Sequence, residues 1–266
     1  MRAAIVPAAL VVTAALTACG SSSVSPESVA NAATKTAAVK SYRMHTTTKL
    51  HVNGKDIHFA ADGAFAPKTH RGRMTLDMSQ LTQAQGPQGT AINFGYATFV
   101  LNGSDLYLRI PLLRQGGFKP WIKIDLKRSD QAGGIDFNSF LRLGAGGDPT
   151  KQVRALRAVG KLHKEGTETV RGVSTTHYSG TVDLNKVPGG RQLARVAGSS
   201  SIPVDVWVDG DGLVRRERWS EKLALGTART KIQTTMDLYD FGAPVVAVPP
   251  PAQDVTDLTG SRPPTS

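Results

Sequence analysis

A single cysteine, Cys19, stands in a chain of 266 residues. No internal disulfide can form, so the fold must rest on its apolar core. The chain is long enough for that, since about 100–200 residues is the usual scale of one domain. Aromatic residues are scarce at 6%, which counts against sugar binding by ring stacking. Catalytic motifs are missing as well. No G-x-S-x-G or S-x-x-K occurs, so serine acyl transfer has no local support. No H-E-x-x-H and no phosphate-binding glycine loop is found either. Acids are fewer than bases, and nothing favours the paired carboxylates of glycoside hydrolysis. No cofactor is expected.

What is present begins at the N-terminus. Arg2 is followed by an uncharged apolar run to Leu16 and then Leu16-Thr17-Ala18-Cys19. A positive start, a short apolar stretch and small residues before a cut form a secretory signal pattern. The run is shorter than the roughly 20 residues that span a bilayer. The tetrapeptide resembles the bacterial lipobox, whose cysteine is diacylated and becomes the first residue. Residues 1–18 are thus expected to be a signal peptide, Cys19 the lipid anchor, and 19–24 a short tether.

The formal charge is +11. Arg2 is the only charge before Cys19, so its removal leaves +10. Such a surface is drawn to anionic headgroups, each nearby Lys or Arg contributing roughly 1 kcal/mol. Export makes nucleic acid an unsuitable partner.

The periodicity predicts a helix from Ser25, Pro26 and Glu27 to about Lys40, with a narrow face of small residues. From Tyr42 the period becomes two. Strands are expected over 44–52, 55–65, 73–78, 92–101, 105–110 and 121–127, with Asn53-Gly54 and Asn102-Gly103 as tight turns. In the clearest strands Met74, Leu76 and Met78, or Leu106, Leu108 and Ile110, or Ile122, Ile124 and Leu126 alternate with polar neighbours, the mark of an antiparallel sheet buried on one face. A glycine-rich stretch over 129–149 leads to an expected helix over 149–162. Strands resume over 165–170 and 173–184, then 202–208, 213–223 and 229–239, with a short helix near 192–196. From Pro244 a proline-rich tail should run extended or disordered and stay out of central strands. The reading is one α+β domain over 25–243. It is a strongly curved antiparallel half-barrel of about eleven strands, with an N-terminal helix and short middle helices on the concave side.

Two patterns invite a metal. Asp209-Gly210-Asp211-Gly212 opens like a calcium loop, but Leu213 and Arg215 follow and no closing Glu sits at the needed spacing, so a hairpin turn is the better reading. His51 can face Asp56 across the first hairpin; a two-ligand site is one reading there, an exposed strand histidine the blander one. No metal site is expected. The apolar stripes have a bland reading as ordinary core and a functional one as the wall of a ligand cavity.

Several stretches carry a family likeness. They are the lipobox, the N-terminal helix, Asp62-Gly63-Ala64-Phe65, Asp105-Leu106-Tyr107-Leu108 with Trp121-Ile122-Lys123, and Ile202-Pro203-Val204-Asp205-Val206-Trp207-Val208-Asp209 with Gly212-Leu213-Val214-Arg215-Arg216. Together they resemble the LppX/LprA/LprF/LprG lipoproteins of actinobacteria, similar in fold to the LolA and LolB carriers. The resemblance implies a half-barrel closed by helices around a hydrophobic cavity for lipid or glycolipid acyl chains, and no catalytic residues. Candidate cavity residues are Phe59, Phe65, Met74, Leu76, Met78, Leu106, Leu108, Ile110, Ile122, Ile124, Leu126, Val204 and Val206. The expected partners are a lipid or glycolipid, the membrane through Cys19 and the basic surface, and a membrane transporter. The alternative is a half-barrel sensor regulating a membrane signalling partner.

Overall fold

The computed structural model describes residues 23–52, 54–79, 95–111, 117–128, 153–187, 190–225 and 228–259. Cys19 and the glycine-rich stretch lie outside them. The strands are β1 (Ser23–Val24), β2 (Tyr42–Val52), β3 (Lys55–Ala66), β4 (Arg71–Asp77), β5 (Tyr96–Asn102), β6 (Asp105–Arg109), β7 (Trp121–Asp125), β8 (Val159–Val170), β9 (Val173–Asp183), β10 (Ser201–Asp209), β11 (Val214–Leu225), β12 (Ala228–Tyr239) and β13 (Val255–Asp257). Helix α1 is Glu27–Ala37 and α2 is Gly190–Ala197.

Among the described residues, all thirteen strands join one sheet in the order β1-β8-β9-β10-β11-β12-β2-β3-β4-β5-β6-β7-β13. The sheet is curved and unclosed, a half-barrel. Every pairing is antiparallel except β13 with β7. Tight turns make this meander possible. Gly54 and Gly103 adopt φ of +75° and +67°, the left-handed conformation that glycine takes without strain.

The two strands beyond the expected eleven cap the edges. Ser23 and Val24, expected within the flexible tether, pair with His163 and Leu162 of β8. At the other edge, the tail carries β13 alongside Trp121, Ile122 and Lys123. The tail reaches that edge as an extended strap from the end of β12. Gly242 N–H donates to Ser41 O at 2.8 Å, and Arg71 donates to Ala247 O at 3.0 Å. Short covering strands of this kind protect a sheet edge from pairing with another chain.

The helix expected over 149–162 is corrected. Among its described residues the helical turns end at Ala158, and Val159 already pairs with Val182 in the sheet. The β8–β9 register shifts between Gly160 and His163. That irregularity puts Val159 and Leu162 both in the core, a spacing of three that imitates a helix face. The N-terminal helix stands close to its expected place. Ser25 Oγ accepts a hydrogen bond from Glu27 N–H at 3.3 Å, and Val29, Ala32, Ala33 and Thr36 are buried. Among the described residues no helix is long and apolar enough to cross a membrane.

Candidate functional site

The inner face of β2–β7 is an apolar wall arranged in cross-strand rows. Phe65, Gly72, Leu101, Leu106 and Ile124 face one another in one row. Met44, Gly63, Met74, Phe99, Leu108 and Ile122 form the next, and Ala61, Leu76 and Ala97 a third. All these side chains except the glycines belong to one buried cluster. The two glycines permit close approach. A Cβ at Gly72 would fall 2.5 Å from the Phe65 ring, and one at Gly63 would fall 2.8 Å from the Arg73 carbonyl oxygen.

The sequence-derived candidates all fall in or against this cluster. Phe65, Met74, Leu76, Met78, Leu106, Leu108, Ile122, Ile124, Val204 and Val206 are buried within it. Phe59, Ile110 and Leu126 are half-buried and packed against it. A small cavity of about 30 Å³ lies among Met44, Ala64, Phe65, Gly72, Arg73, Met74, Phe99 and Leu101. That is room for a water molecule or two, far less than an acyl chain needs.

The other half of the concave face is different, and sequence reasoning missed it. Along β11 the side chains that face inward include Glu217, Trp219 and Glu221, paired with Met236, Thr234 and Ile232 of β12. Beyond them lie Thr46 and Thr48 of β2. Thr48 and Thr234 share a hydrogen bond at 3.2 Å. Glu217 is 0% exposed, and burial pushes its carboxyl up to about 8. Burial also raises Glu221. The indole N–H of Trp219, next on the same face, approaches Glu217 and favours its charged form without reaching hydrogen-bond geometry. Yet neither Glu217 oxygen, nor Trp219 Nε1, nor Thr46 Oγ1 has a hydrogen-bond partner among the described residues. Each such buried orphan costs about 1–3 kcal/mol. Little in the sequence marks it: an acid at Glu217 alternates onto the face of Trp219, which by itself reads as solvent-exposed.

The outer face carries a polar network around a buried aromatic. Trp207 is 1% exposed, and its Nε1–H donates to Glu168 Oε2 at 2.9 Å. His177 Nδ1 lies 2.9 Å from Glu168 Oε1, and its Nε2 lies 3.0 Å from Asp205 Oδ1. The Arg218 guanidinium sits 4.9 Å from the Trp207 ring centroid. The Trp207 hydrogen bond, aided by the charges of His177 and Arg218, holds the Glu168 carboxyl below its usual range.

The two metal patterns resolve into structure. Asp209 Oδ1 accepts from Leu213 N–H at 2.8 Å, and Oδ2 accepts from Arg215 at 2.5 Å, so this carboxylate closes the hairpin turn. His51 Nδ1 meets Asp56 Oδ1 at 2.7 Å on the exposed face. Among the described residues no group of three His, Cys, Asp or Glu side chains gathers as metal ligands would.

No protein-family model matches the chain. It is 32% identical over 154 residues to an uncharacterized 31.2 kDa protein of Streptomyces griseus, a match covering 53% of this chain and 49% of that protein. The chain therefore spans about half the length of that curated relative. It is 26% identical over 220 residues to a Streptomyces coelicolor protein named provisionally as a lipoprotein, covering 82% of this chain and 70% of that one. Among solved structures, LprF of Mycobacterium bovis aligns with a TM-score of 0.46 and 15% identity, over 86% of this chain and 99% of that one. Lipoprotein LppX of Mycobacterium tuberculosis aligns with a TM-score of 0.46 and 15% identity, over 84% and 96%. The chain is thus similar in sequence to two streptomycete proteins, one of them named provisionally as a lipoprotein.

Proposed function

We propose that the protein is a membrane-anchored lipoprotein that holds the acyl chains of a lipid or glycolipid against its concave face and carries or presents them in the cell envelope. The observation that supports this most is the apolar wall of β2–β7, which runs unbroken from Phe65 and Met74 to Leu108 and Ile124. Burying a chain there is favourable by roughly 0.8 kcal/mol per CH₂. The small cavity means that the wall must open to admit a chain. Lipid on Cys19 would anchor the protein on the outer side of the membrane, in keeping with the name of its Streptomyces coelicolor relative. The basic surface would draw the domain toward anionic headgroups, and a membrane transporter is the protein partner that suits this role. The protein would act by binding, without catalysis. Native mass spectrometry of the unacylated protein tests the reading. Co-purified lipid that dissociates from the folded protein is the expected result; bare protein that also takes up no acyl probe would overturn it.

The filled interior favours one further reading, a sensor whose half-barrel regulates a membrane signalling partner. In that case the same experiment yields bare protein.

A further inference from the structure

We propose that Glu217 and Trp219, with Thr46, form a polar subsite on the concave face that grips the ester carbonyl of an acyl lipid whose chains lie along β3–β7. This inference rests on the lipid-binding reading and names the chemical group that the ligand presents.

Three observations carry it. First, the side chains point inward. Glu217 lies between Val206 of β10 and Met236 of β12 in the cross-strand register, and both are core residues. Trp219 lies between Val204 and Thr234. Second, their polar atoms are buried and lack partners among the described residues. A folded protein rarely leaves such groups unpaired, and each exception calls for an explanation. Third, the subsite stands at the border of the apolar wall. From Glu217 the row continues through Met236 and Thr46 to Ala61, Leu76 and Ala97. One concave face thus has a hydrogen-bonding end and an apolar end, as an amphiphile requires.

The donors define the group. Trp219 Nε1–H can only donate, and the Thr46 hydroxyl can donate. Full burial among apolar residues favours the neutral form of a carboxyl, which makes Glu217 an O–H donor as well. Glu217 and Trp219 are neighbours on one face of β11, and two donors there suit a carbonyl oxygen, which has two lone pairs and no hydrogen; Thr46 stands farther along the Glu217 row, beyond Met236. A hydrocarbon would leave these donors unmet. The elements covering this region are α1 and α2, both packed on β11, so a ligand enters as they yield.

The test compares two fluorescent probes with the same ring and chain, the methyl ester of pyrenedecanoic acid and decylpyrene. Wild type should bind the ester about tenfold more tightly, as expected of roughly one net buried hydrogen bond. Glu217→Leu and Trp219→Phe should each erode that preference while leaving decylpyrene binding unchanged, and Glu217→Gln, whose amide still donates, should keep most of it. Trp219→Phe deletes the indole N–H and keeps an aromatic ring, so it decides the matter if Glu217→Leu fails to fold. Equal binding of both probes to wild type, or a preference that survives both Glu217→Leu and Trp219→Phe, overturns the subsite and leaves the lipid-binding reading standing. Binding of neither probe overturns both.

Discussion

The indole of Trp207 stacks on the imidazole of His177, with ring centroids 4.1 Å apart and planes 8° from parallel. The stack lies on the outer face, roofed by Arg218 and tied to Glu168 by the indole N–H. Trp207→Phe keeps a ring and loses that hydrogen bond, so it should destabilise by about 1–2 kcal/mol. Trp207→Ala also removes the packing and should lose about 3–5 kcal/mol. Urea unfolding of both variants measures this, and a Trp207→Phe protein as stable as wild type would show that the indole N–H contributes nothing. The acid limb should respond too. The native Glu168 carboxyl lies below its ordinary value of 4.5. Its contribution is therefore complete above pH 4.5 and fades as pH falls through the native value. Trp207→Phe should weaken that acid-side loss.

Glu217 acts with the opposite sign. Its native carboxyl sits at about 8 against an ordinary 4.5, so between those values the native state holds a proton that the unfolded chain has released. Stability should therefore fall as pH rises from 4.5 to 8 and level off above. The slope is at most about 1.4 kcal/mol per pH unit from this one group. Glu221 is raised by burial and adds to the same trend. Glu217→Gln should flatten the profile, leaving only the Glu221 share. Chemical denaturation at several pH values across this window checks it, and an unchanged slope in the variant would mean that Glu217 is already charged in the native state.

The contrast between these two residues shows what could be read from the chain alone. Strand alternation placed Met74, Leu76, Leu108 and Ile124 on one buried face because period two follows directly from the pleat. It said less about β11. There Arg216, Arg218, Ser220 and Lys222 mark the outer face, and Glu217 and Glu221 disguise the inner one. A composition-based reading assigns such acids to solvent; only the register with Val206 and Met236 shows Glu217 to be interior. The β8 irregularity was illegible for a related reason. Period arguments assume an unbroken ladder, and the shift after Gly160 makes Val159 and Leu162 look helical. The final strand escaped because three residues, Val255–Asp257, are too few to show a period.

Charge on the outer face should guide docking. Lys231 pairs with Lys222 on one side and His51 on the other, and Lys49 projects from the same face of β2. All four are exposed. Like charges directly opposite one another are unfavourable in isolation, and anionic headgroups would relieve them. The soluble domain should bind anionic vesicles weakly, and less so as salt passes about 0.15 M, where the screening length is about 8 Å. Replacing Lys49, Lys222 and Lys231 together with Gln should lower this binding. Equal binding to neutral vesicles, or no response to salt, would refute the idea.

Cys19→Ala addresses the anchor. Without its thiol the chain has nothing for the lipid to attach to, since no other cysteine exists. The variant should lose acyl labelling and leave the membrane fraction. Persistent labelling, or membrane retention that high salt does not reverse, would contradict lipid attachment at Cys19.

Bulky substitutions on the wall separate carrier from sensor. Leu76, Leu108 and Ile124 are 5%, 1% and 1% exposed, so each is surrounded as a core residue would be. Placing a larger side chain in a rigid core costs about 1–3 kcal/mol. A wall that opens for acyl chains has slack that a core lacks, and a Trp there would take up space meant for the ligand. Single Trp replacements at these three positions should therefore divide by location. Leu108 lies beside Phe99, which borders the small cavity together with Met74, so Leu108→Trp is expected to melt near wild type while losing uptake of a fluorescent fatty-acyl probe. Ile124 lies two strands from the cavity-lining Leu101 and should lose some stability as well, while Leu76, two residues along β4 from Met74, should behave like Leu108. Melting temperature and probe uptake, measured on all three, give the answer. If stability and uptake fall together in every variant, or if wild type takes up no probe, the face is ordinary core and the sensor reading replaces the carrier.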